Sequence, residues 1–329
     1  MKRFGLLGLF VLACLFLSSG CISPQVKLFT DASDPLEEYL LSGTAPGKVV
    51  VIPIKGVISD DVEDRMLRSK PGMVQDVVSQ LALARRDKAV GAVLLKIDSP
   101  GGSVTASDIL YHEISRFREE TGIKVVVAMM NYAVSGGYYI ALPADYIIAH
   151  PTTVTGSIGV VLIRPNVEAL MGKIGVDVKT DTSGQYKDMG SLLRTSTEEE
   201  DQLFQTIIET LGSRFTDKVA AHRNLSDDAA DDVKTARLYL ADEAVAAGLV
   251  DEVAYLGDAV DKARSLAGLH SDCKVVVYRR SYFADDNIYN PISMNAGPKA
   301  PSIDLGVPRH LTGGLTGFYY LWVPGLGNN

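Results

Sequence analysis

Short, wholly apolar runs alternate with amphipathic stretches through the middle of the chain. Val49-Val50-Val51-Ile52-Pro53-Ile54, bounded by Gly47 and Gly56, predicts a buried strand. Met73 to Lys88 carries Val74, Val77, Val78, Leu81 and Leu83 near the 3.6-residue period, which predicts a helix. Ala92-Val93-Leu94-Leu95-Lys96-Ile97 predicts a second strand, running into Asp98-Ser99-Pro100-Gly101-Gly102 and then a helix from about Thr105 to Glu120. Lys124 to Met130 and Tyr146 to Ala149 predict two more strands, and between them Ser135-Gly136-Gly137 opens an apolar helix to about Leu142. Strands interleaved with helices at these lengths predict a parallel α/β core.

Further along, Thr197-Glu198-Glu199-Glu200 has the form of a capping box and predicts a long helix to about His222. Ala241 to Ala247 reads as a short helix stopped by Gly248, Val250 to Val253 as a strand, and Asp258 to Leu266 as a last helix. Ser23 to Lys48 is broken by Pro24, Pro35, Pro46, Gly43 and Gly47, and reads as a tether with one helical turn at Leu36–Leu41. From His270 the texture changes to Asn, Pro and Gly, and an aromatic cluster, Phe318-Tyr319-Tyr320-Leu321-Trp322, follows near the end. That tail is expected to be extended and docked, on a membrane interface or on a neighbouring subunit. The organisation expected is a leader over 1–20, a tether over 21–47, a main domain over 48–269 and an extended tail over 270–329.

The leader is an export signal. Lys2 and Arg3 precede an apolar run from Phe4 to Leu17, shorter than the about 20 residues a spanning helix needs. Leu17-Ser18-Ser19-Gly20-Cys21 resembles a bacterial lipobox, with Leu17 one place further from the cysteine than usual. Cys21 is then the expected site of diacylglycerol attachment, and the chain is expected on the extracytoplasmic face of a bacterial envelope membrane, the periplasm in a Gram-negative cell. The 329 residues carry a net charge of −8, which argues against a general nucleic-acid binder. Three cysteines exclude a disulfide scaffold, and neither they nor the five histidines have metal-ligand spacing. No metal or cofactor is expected.

Candidate chemistry lies where α/β folds place their sites, at the C-terminal ends of the strands. Ser99-Pro100-Gly101-Gly102 is a turn whose glycines let backbone N–H groups approach a ligand, as an oxyanion site requires. It also has the form of an ordinary Pro-Gly turn. Ser135 stands between a strand and a helix, followed by Gly136, a position that suits a nucleophile or a plain N-cap. A serine nucleophile needs a base. Of the histidines, only His150, after the strand Tyr146–Ala149, is placed to serve. Lys187, in the Gly-bounded loop Gly184-Gln185-Tyr186-Lys187-Asp188, is a second candidate if it is held uncharged. Taken alone it reads as a surface charge.

Four segments together resemble the signal peptide peptidase A family, the Ser–Lys membrane-associated proteases of peptidase family S49. They are Asp98-Ser99-Pro100-Gly101-Gly102, Ser135-Gly136-Gly137-Tyr138-Tyr139, Thr155-Gly156-Ser157-Ile158-Gly159-Val160 and Gly184-Gln185-Tyr186-Lys187-Asp188-Met189-Gly190-Ser191. They occur in the family's order, with the Ser-to-Lys spacing of its short, single-copy form. The similarity covers roughly Val49 to Leu269. It implies a Clp-protease/crotonase-like α/β fold, Ser135 as nucleophile, Lys187 as general base, and Gly102 and Gly136 as oxyanion-hole donors. It further implies that Ser157 hydrogen-bonds and orients the lysine, that the chain forms a ring- or dome-shaped homo-oligomer with sites completed across subunit boundaries, and that the pocket takes small or apolar side chains. The substrates implied are cleaved signal peptides or other membrane-derived peptides. Val134 stands where Ala is more usual, and Leu192-Leu193 where Pro is common. Two enzymatic alternatives keep the fold: a Ser–Lys protease trimming intact membrane proteins, and a crotonase-like acyl-CoA enzyme. A non-catalytic lipoprotein scaffold is a third.

Overall fold

A computed structural model describes residues 34–61, 63–65, 68–283, 286–290 and 318–322. The apolar run Phe4–Leu17, expected to be an export signal, and Cys21, the expected lipidation site, lie outside the described residues. The strands are β1 (Glu37–Ser42), β2 (Ala45–Lys55), β3 (Glu63–Arg65), β4 (Arg68–Lys70), β5 (Val90–Ser99), β6 (Gly101–Ser103), β7 (Lys124–Val134), β8 (Tyr146–Ala149), β9 (Val154–Gly156), β10 (Val161–Leu162), β11 (Leu238–Leu240), β12 (Glu252–Val253), β13 (Cys273–Arg279) and β14 (Phe318–Leu321). The helices are α1 (Met73–Arg86), α2 (Val104–Thr121), α3 (Gly136–Tyr139), α4 (Glu168–Ile174), α5 (Glu198–His222), α6 (Asp227–Lys234), α7 (Ala241–Ala246) and α8 (Leu256–Leu266).

The main sheet runs β1-β13-β2-β5-β7-β8-β12, with β9 continuing beside β7 and β11 beside β9. Its central pairs are parallel, as the alternation of strands and helices predicts. The apolar runs are continuous because both faces are covered. Val50, Ile52, Val93, Leu95, Val125 and Val127 turn to one side, against α1 and α2. Val49, Val51, Ala92, Leu94 and Val126 turn to the other, against Leu256, Ala259, Val260 and Ala263 of α8. Ser103 caps α2 by accepting from Ala106 N at 3.1 Å, and Gly122, at φ 68, closes it with its N–H on the Arg118 carbonyl. Thr197 and Glu200 form the predicted capping box of α5.

Three readings change. The helical turn expected at Leu36–Leu41 is strand β1, paired antiparallel with β13. The burial of Glu37–Ser42 alternates between exposed and half-buried, as an edge strand requires. The apolar helix after Ser135 ends at Tyr139, and the chain then tightens into turns, with Ala141 N donating to Tyr138 O at 3.0 Å. Within the segment read as an extended tail, Cys273–Arg279 is β13, inserted between β1 and β2 with Val275, Val276 and Val277 fully buried.

The second sheet positions the site. Its order is β10-β14-β6, so the aromatic cluster near the chain's end lies between two short strands of the main domain. Both pairings are antiparallel, with Tyr319 opposite Val161 and Tyr320 opposite Gly102.

Candidate active site

Ser135 follows the last residue of β7 and is 1% exposed. Its backbone has φ 54 and ψ −118, a conformation L-residues other than glycine rarely adopt and one that marks functional turns. Backbone packed around it holds it there: Ser135 N donates to Gly156 O at 2.7 Å, and Ser135 O accepts from Tyr138 N and Tyr139 N at 3.0 and 2.9 Å. The side chain makes no capping bond to the helix. The N-cap explanation of this serine therefore fails, and its Oγ is left for another purpose.

Gly156 is brought beside Ser135 by the parallel pairing of β7 with β9, in which Val134 stands opposite Gly156. Ser157, the next residue, also has a positive φ, of 51, and its N–H is held by Arg237 O at 2.9 Å. The structure thus places the serine expected to orient the lysine next to the strand that carries Ser135.

Gly102 faces the same place, as its strand's hydrogen bonds show. Gly101 O accepts from Ile58 N at 2.8 Å, and Ser103 N donates to Ile58 O at 3.0 Å. Groups of alternate residues point to opposite edges of a strand, so the N–H of Gly102 points away from Ile58 and toward β14. A Cβ on Gly102 would lie 1.9 Å from Ile58 O, and one on Gly136 would lie 3.1 Å from Gly102 N, 3.0 Å from Tyr320 O and 2.5 Å from Ser107 Oγ. Glycine at both positions lets two backbone segments close to a separation that no side chain permits. Gly101, at φ 97, completes the turn. Ser107 escapes a reading of the sequence: its Oγ is buried and has no hydrogen-bond partner among the described residues, and only its closeness to Gly136 in space reveals it.

Lys187 is exposed, in a run of turns, with its own N–H bonded to Gly184 O at 3.0 Å. Within one chain no hydrogen bond among the described residues joins it to Ser135 or Ser157. The loop is nonetheless anchored. Arg194 donates to both carboxylate oxygens of Asp188, at 2.8 Å each, and to both of Glu200, at 2.5 and 2.9 Å. These bonds hold the Asp188 and Glu200 carboxyls below the usual carboxylate range. The residue after Lys187 is so clamped to the capping box of α5. His150, the alternative base, has its Nδ1 on Thr152 Oγ1 at 2.9 Å and its ring against Tyr255, and no hydrogen bond among the described residues joins it to Ser135. Burial pushes Lys96 down, but its Nζ donates to Ile288 O at 2.7 Å, and two residues after Leu94 it stands on the same face of β5, toward α8.

A serine at positive φ on a strand-to-helix turn, with the backbone of Gly102 and Gly136 close beside it, is an arrangement that suits a serine peptidase, and the comparisons give that class. Residues 118–270 match Peptidase family S49. An Enterococcus faecium protein assigned as signal peptide peptidase SppA is 34% identical over 280 residues, 84% of this chain and 81% of that one. Protease 4 of Haemophilus influenzae is 34% identical over 79% of this chain, which spans 40% of its length. The chain belongs to peptidase family S49 and is a serine protease, with the α/β fold expected. Among solved structures, a point mutant of ClpP1 from Listeria monocytogenes shares 18% identity at a TM-score of 0.41, covering 64% of this chain and 94% of its own. A point mutant of the 1510-N membrane-bound stomatin-specific protease shares 20% at 0.38, covering 67% and 86%.

Proposed function

We propose that the chain is a membrane-anchored endopeptidase that cuts cleaved signal peptides and other membrane-derived peptides with a Ser135–Lys187 dyad. Uncharged Lys187 accepts the proton of Ser135 as Oγ attacks the peptide carbonyl. The oxyanion is held by the N–H groups of Gly102 and Gly136. The Lys187 ammonium then protonates the leaving amine and is neutral again; it takes a proton from water, which attacks the acyl-enzyme and releases Ser135. Ser157 orients the lysine. Cys21 carries the lipid that holds the protein at the envelope membrane.

The observation that carries this reading is the conformation of Ser135, held at a positive φ with its hydroxyl free of the helix it precedes. The facing edges of β6 and β10 favour a peptide over an acyl-CoA, because an extended backbone pairs with both and a thioester has no ladder to offer. Lys187 is exposed and outlying within one chain, which fits a dyad whose lysine comes from a neighbouring copy.

Mixing two inactive proteins tests this. Ser135→Ala and Lys187→Ala each cleave no peptide alone. Dissociated and reassembled together, they regain activity, with about a quarter of sites whole if copies pair head-to-tail at random. Full activity of Lys187→Ala alone excludes lysine as the base. No recovery in mixed assemblies excludes a shared dyad.

A further inference from the structure

Among the described residues, three other than glycine have a positive φ: Ser135 at 54, Ser157 at 51 and Ala236 at 56. Two hydrogen bonds link the places where they stand. Ser135 N donates to Gly156 O at 2.7 Å, and Ser157 N donates to Arg237 O at 2.9 Å. The strained positions therefore form one string, from the nucleophile through Gly156-Ser157 to the turn at Ala236-Arg237. Such a conformation costs an L-residue free energy and persists only where its surroundings over-determine it. Ser135 and Ser157 belong to the site described above. Ala236 lies outside it, in the turn between α6 and β11, and its neighbours must hold it there.

A cluster built on one carboxylate does so. Asp232, in α6, accepts from Arg237 Nε at 2.7 Å and from Tyr239 Oη at 3.0 Å, both at Oδ2. The Arg237 guanidinium lies 3.8 Å over the Tyr239 ring. Ala236 N donates to Val233 O at 3.0 Å, which closes the turn. Tyr239 is buried, and a Cβ on Gly156 would lie 2.5 Å from its ring and 2.7 Å from Arg237 O. The cluster thus packs directly against the backbone that carries Ser157, with Leu238 of β11 opposite Gly156 of β9. Asp232 and Arg237 are themselves 38% and 42% exposed, and an ion pair so open to water adds little to global stability. What the pair fixes is local: the turn, and through it the segment beside the nucleophile.

We infer that Asp232 and Arg237 are positioning residues for the proton transfer: their pair fixes the Ala236 turn, and the turn fixes Gly156-Ser157 against Ser135. Both act through backbone rather than by touching substrate. The inference rests on the reading of Ser135 as nucleophile and of Ser157 as the group that orients Lys187. When the pair is broken, Ala236 is free to return to a negative φ, the Arg237 carbonyl turns away, and Ser157 loses the bond that aims it.

The test is Asp232→Ala in the full-length protein, a change that suits helix α6. Reactive sites are counted by fluorophosphonate titration, so that kcat for peptide cleavage is expressed per reactive Ser135. It is expected to fall about 10- to 100-fold, the cost of a small misplacement of a catalytic group, with KM unchanged and the thermal midpoint within a few degrees of wild type. Asp232→Ala;Ala236→Gly is expected to recover most of that loss, because glycine takes a positive φ without a clamp. Ser157→Ala;Asp232→Ala is expected to be little slower than Ser157→Ala alone, since both changes remove the same alignment. Wild-type kcat per site in Asp232→Ala overturns the inference and leaves the Ser135 and Ser157 reading standing. So does an absence of recovery from Ala236→Gly, or losses that multiply in the variant with Ser157→Ala. Full activity in Ser157→Ala overturns the Ser157 reading and the inference with it, and full activity in Ser135→Ala overturns that of the nucleophile.

Discussion

At the scale of single residues, the site depends on close backbone approach. Gly136 has Ser107 Oγ, Tyr320 O and Gly102 N all within 3.1 Å of where a Cβ would sit. In Gly136→Ala the tightest contact is the Ser107 hydroxyl, which can swing aside, so the protein folds. The methyl group nonetheless enters the space of the scissile carbonyl. Peptide turnover is expected to fall by roughly 10²- to 10³-fold, as much as an unused oxyanion donor costs, because the methyl group holds the carbonyl off the N–H groups, while the thermal midpoint moves little. Unchanged kcat in a folded Gly136→Ala protein shows that the scissile carbonyl does not lie against this glycine. Gly102→Ala differs, since its Cβ would meet the Ile58 backbone at 1.9 Å. Backbone cannot swing aside, so that change disrupts the β6–Ile58 pairing itself.

At the scale of elements, the loop of Lys187 is set by Arg194, which ties Asp188 to the start of α5. Asp188 and Glu200 titrate below the usual carboxylate range because Arg194 hydrogen-bonds them. Their folded-state values are depressed, so the stabilisation is fully present above the ordinary carboxylate pKa and is lost as pH falls through the lowered values. Hydrogen-exchange protection of residues 184–194 is therefore expected to hold at neutral pH and to decline only below about pH 4. Arg194→Gln is expected to be unprotected already at neutral pH, with reduced kcat. Equal protection in the two proteins at neutral pH shows that the clamp does not order the loop.

The elements that can be read from the chain are those whose pattern is locally complete. β2, β5 and β7 announce themselves because both their faces are buried, and α5 because Thr197 and Glu200 cap each other within one turn. β1 is not legible in this way, because its partner, β13, lies over two hundred residues away and only one of its faces is covered. β14 shows the same limit more sharply. Its aromatic character is plain in the sequence, but nothing local says that Tyr320 pairs with Gly102. The site divides in the same way. Ser135, Gly136, Gly102 and Ser157 follow strand ends and are gathered by the sheet, whereas Ser107 and Arg194 act through contacts that only the fold creates.

At the scale of the whole molecule, one chain presents the serine and its amides but leaves Lys187 at the surface. A head-to-tail assembly that brings this loop onto a neighbour's groove would remove the amine from water and favour its uncharged form. It would also enclose the groove, so that extended peptides enter and folded proteins do not. Lipid at Cys21 would set that assembly against the membrane from which such peptides come. Every part of this account requires that one hydroxyl be the nucleophile and that Lys187 activate it. The direct measurement is labelling of the intact protein with a serine-directed fluorophosphonate, followed by mass-spectrometric location of the adduct in wild type and in Lys187→Ala. The account predicts a single adduct on Ser135, formed at least about 100-fold more slowly without the lysine. An adduct on another residue, or equal labelling rates in the two proteins, contradicts it.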